Sequence, residues 1–122
     1  MGYRISSLDE LPADSVFRKI RTALGVTAFG VNAIVLPPGI KARPHYHDTQ
    51  DELYFVHGGR ARFDFPGETH EVGPGGLVHV EATTPRQISN PGDEDLVLLI
   101  VGGKDGYIER DGHIADPAEL GS

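Results

Sequence analysis

Turn residues interrupt this chain too often for long helices. Sixteen glycines and nine prolines are spread along 122 residues rather than gathered in one block. The turn signals recur roughly every eight to twelve residues, which is the spacing of short strands in a sandwich or barrel. Between them lie brief runs rich in β-branched and apolar residues: "VFRKIRTAL", "VTAFGVNAIVL", "ELYFVH", "RARFDF", "ETHEV", "LVHV", "RQIS" and "LVLLIV". Roughly eight to ten strands are expected from these runs. The last is wholly apolar and is expected to be buried on both faces. "LDEL", residues 8–11, reads as one helical turn ended by Pro12, and no sustained helical period follows it. The expected fold class is all-β.

The length suits one domain, 1–122, with no linker or internal repeat to divide it. A chain of this size buries roughly two thirds of its unfolded surface, enough for a core without covalent staples. There are no cysteines, so thiolate nucleophiles and iron–sulfur clusters are excluded, and a bound metal must use nitrogen and oxygen ligands. The same absence fits a cytoplasmic protein. The formal charge of −7 argues against a nucleic-acid partner, which requires a basic face. No stretch approaches the roughly 18–20 apolar residues of a membrane span, and the N-terminus has no signal pattern. The polar, glycine-rich tail from about 102 to 122 is expected to form a last hairpin or to pack along a neighbouring subunit.

One segment concentrates the chemistry. In "GIKARPHYHDTQDELYFVHGG", residues 39–59, His45 and His47 are two positions apart and Glu52 opens the next extended run. Alternate residues of a strand share a face, so the histidines project together, and Glu52, Tyr54 and Val56 share one face of the following strand. If that face lines a barrel interior, two imidazoles and a carboxylate converge. Such a set leaves coordination positions open for a substrate, and suits Fe, Mn, Ni, Co, Cu or Zn.

Gly39, His45, His47, Glu52 and Gly59 also stand in the order and with the gaps of the first motif of the cupin superfamily, which the chain resembles. The second cupin motif is matched at Gly75 and Asn90. Glu81 stands where proline is usual, Thr83 where glycine is usual, and Arg86 where a histidine usually supplies the fourth ligand. The core motifs thus cover residues 39–90. The resemblance implies a single-domain jelly-roll (double-stranded β-helix) barrel, a homodimer, one divalent transition metal near the centre and substrate entering at one mouth. Cupins include oxygenases, isomerases, decarboxylases, lyases, cyclases, storage proteins and regulatory domains, so the fold points to a site better than to a reaction.

Arginine cannot ligate a metal, because it stays protonated and offers no lone pair. On one reading, His45, His47 and Glu52 bind the metal of a small-molecule enzyme of oxygenase, isomerase or cyclase type. Arg86 and Tyr54 then act on the substrate, Arg86 by holding an anionic group through its planar fork, and Arg86, Tyr54 and Phe63 line the cavity. On the other reading, Arg86 pairs with Glu52, repels a cation and leaves a metal-free pocket for a small ligand or partner. A shift in the "EATTPRQ" turn would instead offer the Gln87 amide as a ligand. His57 should face away from the site, Tyr46 outward, and Arg43 toward the mouth. His79 is expected as a hydrogen-bonded structural residue, His70 as solvated, His113 as a mobile surface residue, and Lys41, Lys104 and Arg110 as surface.

Overall fold

The computed structural model describes residues 2–107 and 111–120; Arg110 lies outside them. Among the described residues are eleven strands: β1 (Ala13–Asp14), β2 (Phe17–Arg18), β3 (Gly30–Leu36), β4 (His45–His47), β5 (Asp51–Gly58), β6 (Ala61–Phe65), β7 (Glu68–Val72), β8 (Leu77–Val80), β9 (Gln87–Ser89), β10 (Leu96–Gly103) and β11 (Gly112–Ile114). The larger sheet has the order β1-β2-β3-β10-β5-β8. Facing it are the sheets β7-β6-β9 and β11-β4, and every neighbouring pair is antiparallel. Residues 40–47 run beside β9: the Ala42 N–H donates to the Ile88 carbonyl at 2.8 Å, and His45 and Arg86 exchange two backbone hydrogen bonds of 2.9 Å. The second layer therefore continues from β9 through β4 to β11. This is the jelly-roll arrangement, but the sheets do not close into the continuous barrel expected from the sequence, because β8 pairs with β5 alone among the described strands.

Alternation on β5 and β10 builds the core between the layers. Glu52, Tyr54 and Val56 are buried while Leu53 and His57 are exposed, as a strand facing core on one side requires. On β10, Leu96 and Leu98 are fully buried, whereas Val97, Leu99 and Val101 are only half-buried. The expectation of burial on both faces therefore holds for the inner face alone. Leu36, Val56, Phe63 and Ile88 complete this core. Each such side chain contributes roughly 1.5–3 kcal/mol relative to an exposed position.

One segment read as extended is helical. Residues Ile20–Leu24 form α1, which ends at Gly25 in the left-handed conformation with φ of +70°. A helix of this length is too short to display a 3.6-residue period, which is why pattern alone assigned it to a strand. It packs against β3, and the Arg21 guanidinium lies 3.9 Å from the Tyr107 ring centre.

Two motif residues have a structural purpose. Gly59 has a φ of +76°, and a Cβ there would stand 2.3 Å from the Asp95 carbonyl oxygen, so only glycine fits. Asn90 donates to the carbonyls of Leu36 at 2.8 Å and Glu94 at 2.7 Å, and accepts from the Gly92 N–H at 2.9 Å. It fixes the loop before β10.

Candidate metal centre

Three potential ligands converge where β4 meets the start of β5. β4 is held on one side by β11, with Gly112 opposite His47 and Ile114 opposite His45. On the other side the His47 N–H donates to the Ala82 carbonyl at 2.8 Å. His45 and His47 therefore share a face, their rings nearly perpendicular at 88° with centroids 5.2 Å apart. The Nε2 atoms of both lie 3.3 Å from Glu52 Oε1, and the ligating atoms of all three residues fall within 4.8 Å of one another. Two ligands each about 2.1 Å from a common ion stand roughly 3.0–3.4 Å apart at octahedral to tetrahedral angles, so the spacing suits a metal.

Proton accounting points the same way. His45 Nδ1 lies 3.3 Å from the Arg43 carbonyl and Nε2 lies 3.3 Å from Glu52 Oε1. With the ring proton on Nδ1, bonded to that carbonyl, Nε2 offers its lone pair toward the carboxylate, and a cation between them would satisfy both. His47 is nearly buried, and neither of its ring nitrogens has a hydrogen-bond partner. An unpaired buried polar atom is costly; a bound cation would satisfy Nε2.

Glu52 gathers more than the histidines. The Tyr54 hydroxyl donates to Oε1 at 2.5 Å, and Arg86 Nη2 donates to the same oxygen at 3.0 Å. Burial alone would raise the Glu52 carboxyl, but the His45 and His47 imidazoles beside it and the Tyr54 hydrogen bond outweigh it and hold the group well below the usual carboxylate range. Burial raises Tyr54, and the Glu52 charge raises it further against the opposing effect of Arg86. Tyr54 thus remains a donor.

Arg86 has no exposed surface. Its Nε donates to Tyr54 Oη at 3.2 Å, and its Nη1 to the carbonyls of Ala82 at 3.1 Å and Thr84 at 2.7 Å. Every guanidinium nitrogen is engaged with protein, so of the two readings of Arg86 the pairing with Glu52 is the arrangement observed, and the side chain lies behind Glu52 rather than in the cavity. Tyr54 and Phe63 are buried in the core with ring centroids 5.2 Å apart, and neither lines the cavity described below. Gln87 donates to the Ala42 carbonyl at 3.0 Å, away from the histidines.

The other histidines stand apart. His57 and His79 are exposed, so His79 is not the hydrogen-bonded structural residue expected. His70 is exposed beside Glu68. His113 stacks on Tyr46 with ring centroids 5.1 Å apart and approaches Asp48 at 2.7 Å; it is packed on β4, where a mobile surface residue was expected. Arg43 precedes Pro44 and so lies outside β4.

The tail supplies a residue that lies outside both motifs. Asp111 is buried, and its Oδ2 accepts from the backbone N–H groups of Thr49 at 2.9 Å and Gln50 at 2.6 Å. The same oxygen lies 3.7 Å from His47 Nδ1. Burial raises the Asp111 carboxyl, but those two amides and the nearby His47 and His113 lower it on balance. An Asp-Gly pair in a polar tail reads as a turn, so only the β11–β4 pairing reveals that Asp111 sits beneath His47.

Two cavities reach the histidines of the cluster. One of about 210 Å³ touches His47, Gln50, Glu52 and Asp111. The other, of about 590 Å³, includes His45, His47 and Glu52 in its wall and extends along the inner face of β3.

The comparisons agree with this architecture. An uncharacterised protein of Methanocaldococcus jannaschii is 27% identical over 94 residues, covering 77% of this chain and 70% of its own. A sugar phosphate isomerase of the cupin superfamily from Silicibacter pomeroyi superposes with a TM-score of 0.72 at 28% identity, covering 82% of this chain. This chain spans only 64% of that isomerase's length. A polyketide cyclase from Streptomyces resistomycificus gives a TM-score of 0.79 at 20% identity, covering 93% of this chain and 85% of its own, a likeness of fold. The Cupin domain family matches residues 32–102, more than half of the chain, and with the jelly-roll sheets around His45, His47 and Glu52 this places the chain in the cupin family.

Proposed function

We propose that this protein is a small-molecule cupin enzyme of isomerase, cyclase or oxygenase type, built around one divalent transition metal held by His45, His47 and Glu52. The observation that carries the reading is His47: its two ring nitrogens are buried without hydrogen-bond partners, while its Nε2 faces Glu52 Oε1 at 3.3 Å. Once bound, the metal would supply Lewis acidity toward an oxygen of the substrate. The chain's own residues have separate tasks. Tyr54 and Arg86 keep Glu52 ionised and fixed in orientation by donating to Oε1. The Arg43 carbonyl, by accepting a hydrogen bond from His45 Nδ1–H, would present Nε2 as the ligating nitrogen, and Asp111 stands behind His47 in the position of a carboxylate that orients a metal-binding imidazole.

A second reading rests on the 3.0 Å contact between Arg86 and Glu52. That pair neutralises the carboxylate without a metal and would serve a non-catalytic cupin that binds a small ligand. Elemental analysis of protein purified without added metal separates the two. The metal reading expects about one divalent transition metal per chain, lost on Glu52→Ala and on His47→Ala. Metal-free wild-type protein whose melting temperature does not respond to added Zn²⁺, Mn²⁺, Fe²⁺, Co²⁺, Ni²⁺ or Cu²⁺ would refute it, because a ligand of the native state must stabilise it.

A further inference from the structure

The larger cavity is polar at one end and apolar along its length. Strand register places Glu52 beside Gly102, and Gly102 opposite Gly30. Asn32, Ile34 and Leu36, on the same face of β3, then lead away from the carboxylate, and all three line the cavity. From Asn32 to Leu36 the strand advances about 13 Å. Ile88 and Ile100 contribute further apolar wall, and Phe17 and Ile40, exposed at 41% and 44%, extend the apolar surface outward. Asn32 is the one side-chain amide among the described lining residues.

A polyhydroxylated ligand does not suit this wall. Each hydroxyl laid against isoleucine and leucine gives up hydrogen bonds to water and finds none in return. An apolar body gains from the same contact. The charge at the inner end sets the other half of the requirement. Arg86 already cancels the charge of Glu52 through the 3.0 Å contact, so a divalent cation on His45, His47 and Glu52 would keep its full positive charge. Arg43, two residues before His45 and with its carbonyl 3.3 Å from the His45 ring, also lines the cavity, and it is not ion-paired to another described residue. That end calls for an oxyanion.

We infer that the ligand is an amphiphilic acid, with one anionic oxygen-bearing end at His45, His47 and Glu52 and an apolar body along Ile34, Leu36, Ile88 and Ile100. This rests on the metal reading for the position of the head and on the cavity wall alone for the body. A volume of about 590 Å³ equals about twenty water-sized volumes, and an extended carbon chain advances about 1.2 Å per bond, so a chain of roughly ten to twelve carbons spans the 13 Å run.

The test is calorimetric titration of the full-length protein, loaded with Zn²⁺, with straight-chain carboxylates from butyrate to dodecanoate, and separately with glucose 6-phosphate. Affinity is expected to rise about three- to fourfold per methylene, to level off near ten carbons, and to keep a stoichiometry of one. Ile40→Asp, at an exposed position, should weaken decanoate about tenfold. Glucose 6-phosphate should bind at least a hundredfold more weakly than decanoate. A flat series, or glucose 6-phosphate binding the tighter of the two, overturns the proposal. A parallel Zn²⁺ titration keeps the two readings apart: zinc binding with a flat series removes the ligand class and leaves the metal site, while a rising series without zinc binding supports the ligand class and removes the metal.

Discussion

Arg86→Met separates the two parts that the arginine plays. The side chain has no exposed surface and donates to Glu52, Tyr54, Ala82 and Thr84 at 2.7–3.2 Å. Methionine fills much of the same volume without charge or donors. The change leaves a buried carboxylate without its cation and the Thr84 carbonyl without its donor, while the Ala82 carbonyl keeps the His47 N–H. Breaking one side of a buried pair costs about 3–5 kcal/mol. The freed Thr84 carbonyl keeps the loss within that range rather than below it, because an orphaned acceptor carries a desolvation cost of its own. A loss of about 4 kcal/mol, at roughly 3–5 °C per kcal/mol for a domain of this size, lowers the melting temperature of metal-free protein by about 12–20 °C.

Zinc affinity moves in the opposite direction. Two unit charges 4 Å apart interact by about 4 kcal/mol at an effective dielectric of 20. Removing the guanidinium charge beside the site should therefore strengthen Zn²⁺ binding at least tenfold, or about 1.4 kcal/mol, even after relaxation. Arg86→His should bind Zn²⁺ more tightly again, since it removes the same charge and adds an imidazole. The assay is thermal unfolding by circular dichroism on chelated protein with and without saturating Zn²⁺, joined to calorimetric affinities. The reasoning fails if Arg86→Met melts within about 3 °C of wild type in the chelated state, which would mean that the pair contributes nothing. It also fails if the variant binds Zn²⁺ more weakly than wild type.

Asp111→Asn should be less stable than wild type at pH 7, and the difference should narrow by pH 3 in urea titrations. The native carboxyl is held below its ordinary value, so its contribution is present above the unfolded-state pKa of about 4 and is lost as the pH falls through the native one. The same variant should weaken Zn²⁺ about tenfold by calorimetry, the low end for a residue behind a metal ligand, since 3.7 Å exceeds a hydrogen bond. Gly59→Ala should cost more than about 1 kcal/mol in the same titrations, because alanine at a φ of +76° is strained and its Cβ would meet the Asp95 carbonyl. Leu98→Ala, at a fully buried position, should cost about 2–5 kcal/mol.

The parts of the site written in strand parity were legible. His45 and His47 share a face because they alternate on β4, and Glu52 faces the core because alternation on β5 buries it with Tyr54 and Val56. The turn glycines were legible for the same local reason, that positive φ favours glycine. What depends on pairing between distant segments was not. Asp111 reaches His47 only because β11 pairs with β4 across more than sixty residues of chain, and nothing in "RDGHI" announces it. Phe63 carried the right chemistry for a cavity wall, but the register of β6 against β9, with Phe63 opposite Ile88, places it behind Tyr54. Helix α1 escaped because five residues contain too few turns to show a period.

Arg86 lies between these cases, and its position decides what the site can hold. The sequence placed it at the usual fourth-ligand position, and the backbone agrees: Arg86 exchanges hydrogen bonds with His45, so it sits beside the cluster. Parity could not tell whether the guanidinium reached forward to a substrate or back to the carboxylate. Its four donations decide that it reaches back. A histidine at this position would be a neutral ligand and would leave Glu52 its full charge. The arginine instead removes one ligand and cancels the carboxylate's charge. Any cation held by His45, His47 and Glu52 then has one more open position and one more unit of uncompensated charge. Both changes favour a ligand that brings its own negative oxygen, and that is the end of the cavity from which the apolar wall of β3 leads away.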